Sequence, residues 1–173
     1  MATGDHFQTG AVLNSVPHQI QILSSDADSS AMKEQVCWSI GNIAADSDEY
    51  REVLVANGCV VPLIKYLHKS IETSSSSSAQ TAAWALSNLA RGTVQGSVFI
   101  NTDAMSFIMK LLNCGDTQVV TEICWFFAFF LAKEEEAVNY VLNLGFKEVK
   151  GRYCTNFIPL YTHAHTTSLI PSL

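Results

Sequence analysis

The chain has 173 residues, 48% hydrophobic and 15% charged, with 10 Lys and Arg against 16 Asp and Glu. So much apolar side chain excludes a wholly disordered polypeptide, and the length corresponds to roughly one domain of about 150 residues. The net charge of −6 excludes the basic face of a typical nucleic-acid binder, so no nucleic-acid partner is expected.

Five cysteines, Cys37, Cys59, Cys114, Cys124 and Cys154, form an odd set without a C-x-x-C pair. Neither a disulfide framework nor a zinc site is expected, and reduced thiols in a cytosolic or nuclear compartment are the natural reading. No cofactor and no metal are expected. The first Lys or Arg is Lys33, so nothing near Met1 reads as the basic start of a signal peptide. The longest apolar run, 123–132, has ten residues, about half of what a membrane span needs. Glu122 precedes it and Lys133, Glu134, Glu135 and Glu136 follow, which marks a buried helix and no membrane partner.

Along the chain, residues 1–9 are expected to be disordered. A first helical element, GAVLNSVPHQIQILSS, starts at Gly10, and EQVCWSIGNIAADS starts at Glu34. In the latter, Val36, Ile40, Ile43 and Ala44 make an i, i+4, i+7, i+8 stripe that predicts the core-facing side of a helix. SDEYREVLVANG follows from Ser47; its acidic first turn, Asp48 and Glu49, suits a helix start, and Gly58 suits a stop. NGCVVPLIKYLH then carries Val60, Leu63, Ile64 and Leu67 at helical spacing. The serine run Ser74 to Ser78 reads as a loop insertion, more plausibly a flexible linker than a phosphorylation site. QTAAWALSNLARGT from Gln80 repeats the earlier stripe in Ala82, Leu86 and Leu89. TVQGSVFINTD from Thr93 and NTDAMSFIMKLLN from Asn101 come next, the second with Met105, Ile108, Met109 and Leu112 at helical spacing. TEICWFFAFFLAKE from Thr121 and KEEEAVNYVLNLG from Lys133 complete the helical part. Residues 149–173 hold two prolines and no helical period, and are expected to be a poorly ordered tail.

These elements repeat. Trp38, Trp84 and Trp125 occupy the same register, 46 and 41 residues apart, and the five serines account for the difference. The period near 41 falls in the range of roughly 40–47 typical of armadillo and HEAT repeats. Each unit reads as a short helix, a middle helix and a long Trp helix, and three helices per unit is armadillo-like. The expected fold is therefore an all-α armadillo-repeat solenoid over 10–148, with about three repeats and partial ones at the ends. Chain ends without recognisable capping units suggest a fragment or short isoform.

Trp38 and Asn42 share a helix face that lies two residues, about 200°, off the core stripe. Trp84 and Asn88 repeat that placement. Stacked units bring such residues about 10 Å apart, giving a ladder of indoles and carboxamides. Indole faces stack on Lys or Arg stems and attract the cation, worth about 0.5–2 kcal/mol each. Asn carboxamides can pair with both the C=O and N–H of an extended peptide. Asp46, two turns beyond Trp38, and Glu122, just before Trp125, are candidates to complete cationic pockets. The third unit departs from the pattern: Phe129 stands at the Asn position, and Phe126, Phe127 and Phe130 crowd the helix. That helix is expected either to pack against something outside the chain or to supply an aromatic wall.

The strings EQVCWSIGNIAADSDEYREVLVANGCVVPLI and QTAAWALSNLARG resemble the armadillo repeats of the importin-alpha family, adapters that read nuclear localisation signals. The resemblance covers roughly residues 10–148. It implies a right-handed superhelix whose concave groove binds Lys/Arg-rich peptides. It also implies peptide-binding roles for Trp38, Asn42, Trp84 and Asn88, and a lysine-recognising role for Asp46 in IAADS. With Glu122 and Trp125 these make the candidate peptide-binding set. An aromatic after the third Trp also occurs in the family's next repeat, which suits Phe129. The family binds its importin-beta carrier through a basic N-terminal segment; no Lys or Arg precedes Lys33, so that partner is doubtful for this chain.

No P-loop, G-x-S-x-G or H-E-x-x-H is present, and the chain is not expected to be an enzyme. His163 and His165 in the tail are read as incidental. The expected function is a nuclear import adapter-like module, found in cytoplasm and nucleus, with proteins bearing basic nuclear localisation signals as partners. The alternative is a general armadillo interaction scaffold without that specificity.

Overall fold

A computed structural model describes residues 6–100, 102–132 and 135–144, with side chains placed for 9–100, 103–132 and 136–144. The elements in order are α1 (His6–Val12), a 3-10 turn (Leu13–Ser15), α2 (Val16–Ser24), α3 (Ser30–Asp46), α4 (Asp48–Ala56), α5 (Val60–Glu72) and α6 (Ser76–Leu89). A second 3-10 turn (Gly96–Phe99), α7 (Thr102–Leu111), α8 (Thr117–Leu131) and α9 (Glu135–Asn143) follow, with no strand among the described residues. Helix α1 begins inside the stretch expected to be disordered; residues 1–5 and the expected tail, 149–173, lie outside the described residues.

The helix limits follow from local chemistry. Ser29 and Ser47 cap α3 and α4, their hydroxyls accepting from the backbone N–H of Met32 and Tyr50, each at 3.2 Å. Asp116 does the same for α8, accepting from Gln118 and Val119 at 3.0 and 3.1 Å. Helix α4 stops at Gly58, whose φ of +78° lets its own N–H reach Val55 O and that of Cys59 reach Leu54 O. Proline at position 62 falls in the first turn of α5, where no intrahelical donor is lost.

Three units, two of three helices and the middle one of two helices and a 3-10 turn, stack to form an all-α armadillo solenoid. The Trp helices α3, α6 and α8 pack in sequence as one layer, α2, α5 and α7 adjoin as a second, and α4 and α9 lie against α3 and α8. Every residue of the two core stripes read from the sequence is buried, at 7% exposure or less. One hydrophobic core runs through all repeats without a break, as stacking units require.

Two expectations change. The serine run is not a loop insertion: Ser76, Ser77 and Ser78 form the first turn of α6, and only Ser74, with φ of 55°, turns the chain. Their hydroxyls staple neighbouring repeats, Ser76 to Asp116 at 2.6 Å, Ser77 to Glu34 at 2.6 Å and Ser78 to Glu34 at 2.7 Å. The element at Thr93 is a single 3-10 turn rather than a full helix. Phe126, Phe127 and Phe130 fill the volume that this short element leaves. Phe99 in the turn packs edge-on to Phe126 at 5.4 Å and to Phe130 at 6.2 Å, and all four rings are buried. These phenylalanines form the core at the boundary between the second and third repeats.

A polar joint ties the first two repeats together. Arg51, 7% exposed, pairs with Asp48 at 2.6 Å and donates to the carbonyl of Ala44 at the end of α3. Asp48 also accepts from the backbone N–H of Thr93 at 3.1 Å, so the same carboxylate fastens the chain leaving α6.

Candidate binding groove

Because α3, α6 and α8 lie side by side, residues that precede or coincide with each Trp register converge on one surface. There they enclose a groove of about 420 Å³. Trp38 forms one wall from α3; Gln80, Thr81 and Trp84 come from α6; Thr117, Gln118, Thr121 and Glu122 come from α8. Both groove tryptophans are half-buried and line the opening.

The position of Trp84 is set by Gly41. Its ring lies so close over α3 that a Cβ built on Gly41 would fall 2.6 Å from Cε3 and 3.0 Å from Cη2. Only glycine lets the two helices and this ring share the space. Asn88, one turn later, is 7% exposed, and its Nδ2 donates to Gly41 O at 3.4 Å across the repeat boundary. Arg91 donates to its Oδ1 at 3.4 Å. Asn42 is half-buried, its Nδ2 donating back to Trp38 O at 2.8 Å. The carboxamides thus sit closer to the helix packing than their angle off the core stripe implied.

Glu122 reaches the groove from α8 and is fixed there by Ser87, whose hydroxyl donates to Oε2 at 2.7 Å. Asp46 is exposed at the last residue of α3, and Trp125 is 41% exposed; neither lines the groove. Trp125 instead stacks on Phe129, centroids 5.7 Å apart and planes 22° off parallel, with the Arg91 guanidinium 5.8 Å from the Phe129 centroid. Of the seven residues singled out in the sequence, Trp38, Trp84 and Glu122 therefore meet in one groove. Asn88 braces it from the α3–α6 interface, and Asn42 bonds back within α3.

The sequence reading passed over Gln80, Thr81, Thr117, Gln118 and Thr121, because uncharged polar residues resemble an ordinary wet helix face. The signal was there in the register: Gln80 stands four before Trp84, and Thr121 four before Trp125, each one turn away on the same side. Asp116 closes the α6–α8 seam beside them. Hydrogen bonds from Ser76, Gln80 and the α8 amides hold its carboxyl below the usual carboxylate range.

Residues 47–91 match the family model of the armadillo/beta-catenin-like repeat. With the stacked units, this defines an armadillo-repeat fold. The chain is similar to importin subunit alpha-1b of Oryza sativa subsp. japonica, at 29% identity over 175 residues, 100% of this chain and 30% of the relative. It is similar too to importin subunits alpha-2 and alpha-9 of Arabidopsis thaliana, at 28% and 30% identity over 84% of this chain, or 26% and 28% of theirs. The chain thus spans under a third of the length of these relatives. Among solved structures, computationally designed armadillo repeat proteins for modular peptide recognition superpose with a TM-score of 0.77 at 22% identity, covering 94% of this chain and 69% of theirs. A designed armadillo repeat protein in complex with the peptide (KR)4 gives 0.75 at 22% identity, with the same coverage. Among the described residues no helix is long and apolar enough to cross a membrane.

Proposed function

We propose that the chain is a non-enzymatic binding module that holds an extended, Lys/Arg-bearing peptide against α3, α6 and α8, as an adapter for nuclear localisation signals. The observation that carries this reading is the groove in which Trp38 and Trp84 flank a cationic slot with Glu122 at its rim. The importin alpha relatives and the complex of a designed armadillo repeat protein with (KR)4 support it. Indole faces take the aliphatic stem and the charge of Lys or Arg, while Glu122 neutralises the head group. The carbonyl of Asn42, whose amide is already engaged, is left to accept a peptide N–H. Asp46, at the end of α3, and the stacked Trp125–Phe129 pair lie beyond the groove, where a longer peptide would reach them. A net charge of −6 favours the approach of a basic peptide to the protein as a whole. Partners are proteins with basic nuclear localisation signals, met in the cytoplasm and carried to the nucleus.

Fluorescence anisotropy with a labelled Lys-rich peptide tests the proposal. Binding with a Kd below about 100 μM at low salt is expected, weakening as salt is added. Trp38→Ala and Trp84→Ala should each weaken it by roughly 2- to 30-fold, the loss of one cation–aromatic contact. No binding in that range, or binding indifferent to both substitutions, sinks it. Binding indifferent to peptide charge assigns the chain to the general scaffold class.

A further inference from the structure

The lining of the groove is more selective than a general preference for basic peptides. We infer that it reads one long cationic side chain flanked by uncharged hydrogen-bonding residues, Ser, Thr, Asn or Gln, rather than a run of adjacent Lys and Arg. This deepens, and rests on, the peptide-binding reading above.

Three observations carry it. First, Glu122 is the single carboxylate among the groove-lining residues, and Ser87 already occupies its Oε2, leaving Oε1 for one ammonium or guanidinium. The other acids along the α3–α6–α8 seam are not among the lining residues and hold neighbouring side chains in place. Both oxygens of Glu34 accept from Ser77 and Ser78, and both oxygens of Asp116 accept from Gln80, with Ser76 and the α8 amides in addition. Asp46 stands outside the groove at the end of α3.

Second, the rest of the wall is neutral but equipped for hydrogen bonding. Gln80 spends its amide nitrogen on Ser76 and Asp116, which leaves its carbonyl oxygen to accept. The side chains of Thr81 and Gln118 and the indole N–H groups of Trp38 and Trp84 have no hydrogen-bond partner among the described residues. Hydroxyl or carboxamide side chains of a ligand match that inventory. A second cation would meet no further carboxylate among the lining residues and would repel the first, while its partial desolvation went largely uncompensated.

Third, the groove is open, with a volume of about 420 Å³ toward the small end of ligand sites, so the chemistry of its lining rather than enclosure sets what it selects.

Three labelled octapeptides distinguish the possibilities by anisotropy at about 150 mM salt, where long-range attraction is screened within about 8 Å. They are (KR)4, a peptide with one central Lys among Ser and Asn, and the same peptide with that Lys replaced by Ser. The one-Lys peptide should bind within tenfold of (KR)4, and at least tenfold tighter than the peptide without Lys. Glu122→Gln, which keeps the acceptor for Ser87 and removes only the charge, should erase the difference between the last two. If (KR)4 binds more than tenfold tighter than the one-Lys peptide, or if Glu122→Gln leaves that difference intact, the inference is overturned and the peptide-binding reading stands. If none of the three binds, both fall together.

Discussion

Replacing Gly41 by Ala separates the groove from the fold on which it is built. The added methyl would sit 2.6 Å from Cε3 of Trp84, and nearer still to Cζ3. Carbon atoms pack at about 3.5–4.0 Å, so the indole must retreat by roughly 1.3–1.8 Å to clear its nearest atom. It has one direction to go, because α3 closes its inner side and the groove is open on the other. A swing of that size keeps χ1 within about 30° of its rotamer and costs on the order of 0.5–1.5 kcal/mol. Alanine in place of glycine inside a helix returns about 1 kcal/mol. The two nearly cancel, and the midpoint of thermal unfolding, followed by circular dichroism, should move by no more than about 2–4 °C. Peptide affinity, by contrast, should fall roughly 2- to 30-fold, because the displaced ring enters the slot that a cationic stem would fill. A midpoint lowered by more than about 10 °C would mean that the ring cannot yield, and that Gly41 serves packing alone. Unchanged stability with unchanged binding would show that Trp84 does not contact peptide.

Further outcomes follow from the seams between repeats. Asp116, whose folded pKa is lowered, stabilises the protein fully above the ordinary carboxylate pKa of about 3.9. That contribution is lost as pH falls through the folded value, so Asp116→Asn should flatten the acid limb of the unfolding midpoint measured from pH 5 to pH 2. Arg51→Ala leaves the Ala44 carbonyl and Asp48 without their guanidinium. Since Asp48 is half-exposed, the loss is that of the carbonyl bond, about 1.5–3 kcal/mol, seen in urea unfolding as a lower midpoint at constant slope. Burial pushes the Cys59 thiol up to about 12 and the Cys37 thiol higher still, so both stay protonated at pH 8. A maleimide followed by peptide mass mapping should label half-buried Cys114 and Cys124 in the native protein, and Cys37 and Cys59 only after unfolding.

The repeat architecture was legible because its signals are local and periodic. One Trp per unit, an apolar stripe two residues off it, Ser47 before an acidic turn and Gly58 after an apolar helix each report a backbone need that tertiary contacts do not override. The serine run misled for the opposite reason. Serine is a poor residue for a helix interior, yet at a first turn its hydroxyl can reach out, and here the partners, Glu34 and Asp116, lie some 40 residues away in sequence. The segment after Thr93 has the length of a helix but forms one 3-10 turn, and the phenylalanines of α8 that looked surplus fill the space it leaves. In the groove, the angular argument placed Trp38 and Trp84 off the core and both line the opening, while Asn88 turned out buried because α3 packs directly over it. No pattern within one helix reveals that. The neutral wall of Gln80, Thr81, Gln118 and Thr121 emerges only when α6 and α8 are set side by side.

The central claim is that Trp38 and Trp84 line the slot that receives a cationic side chain. Proton–nitrogen correlation spectra resolve the indole N–H of each tryptophan, and substitution to Phe one at a time assigns the three signals. During titration with a Lys-containing peptide, the Trp38 and Trp84 signals should shift together and saturate at one common Kd. No indole shift, or a shift of Trp125 alone, would contradict the account.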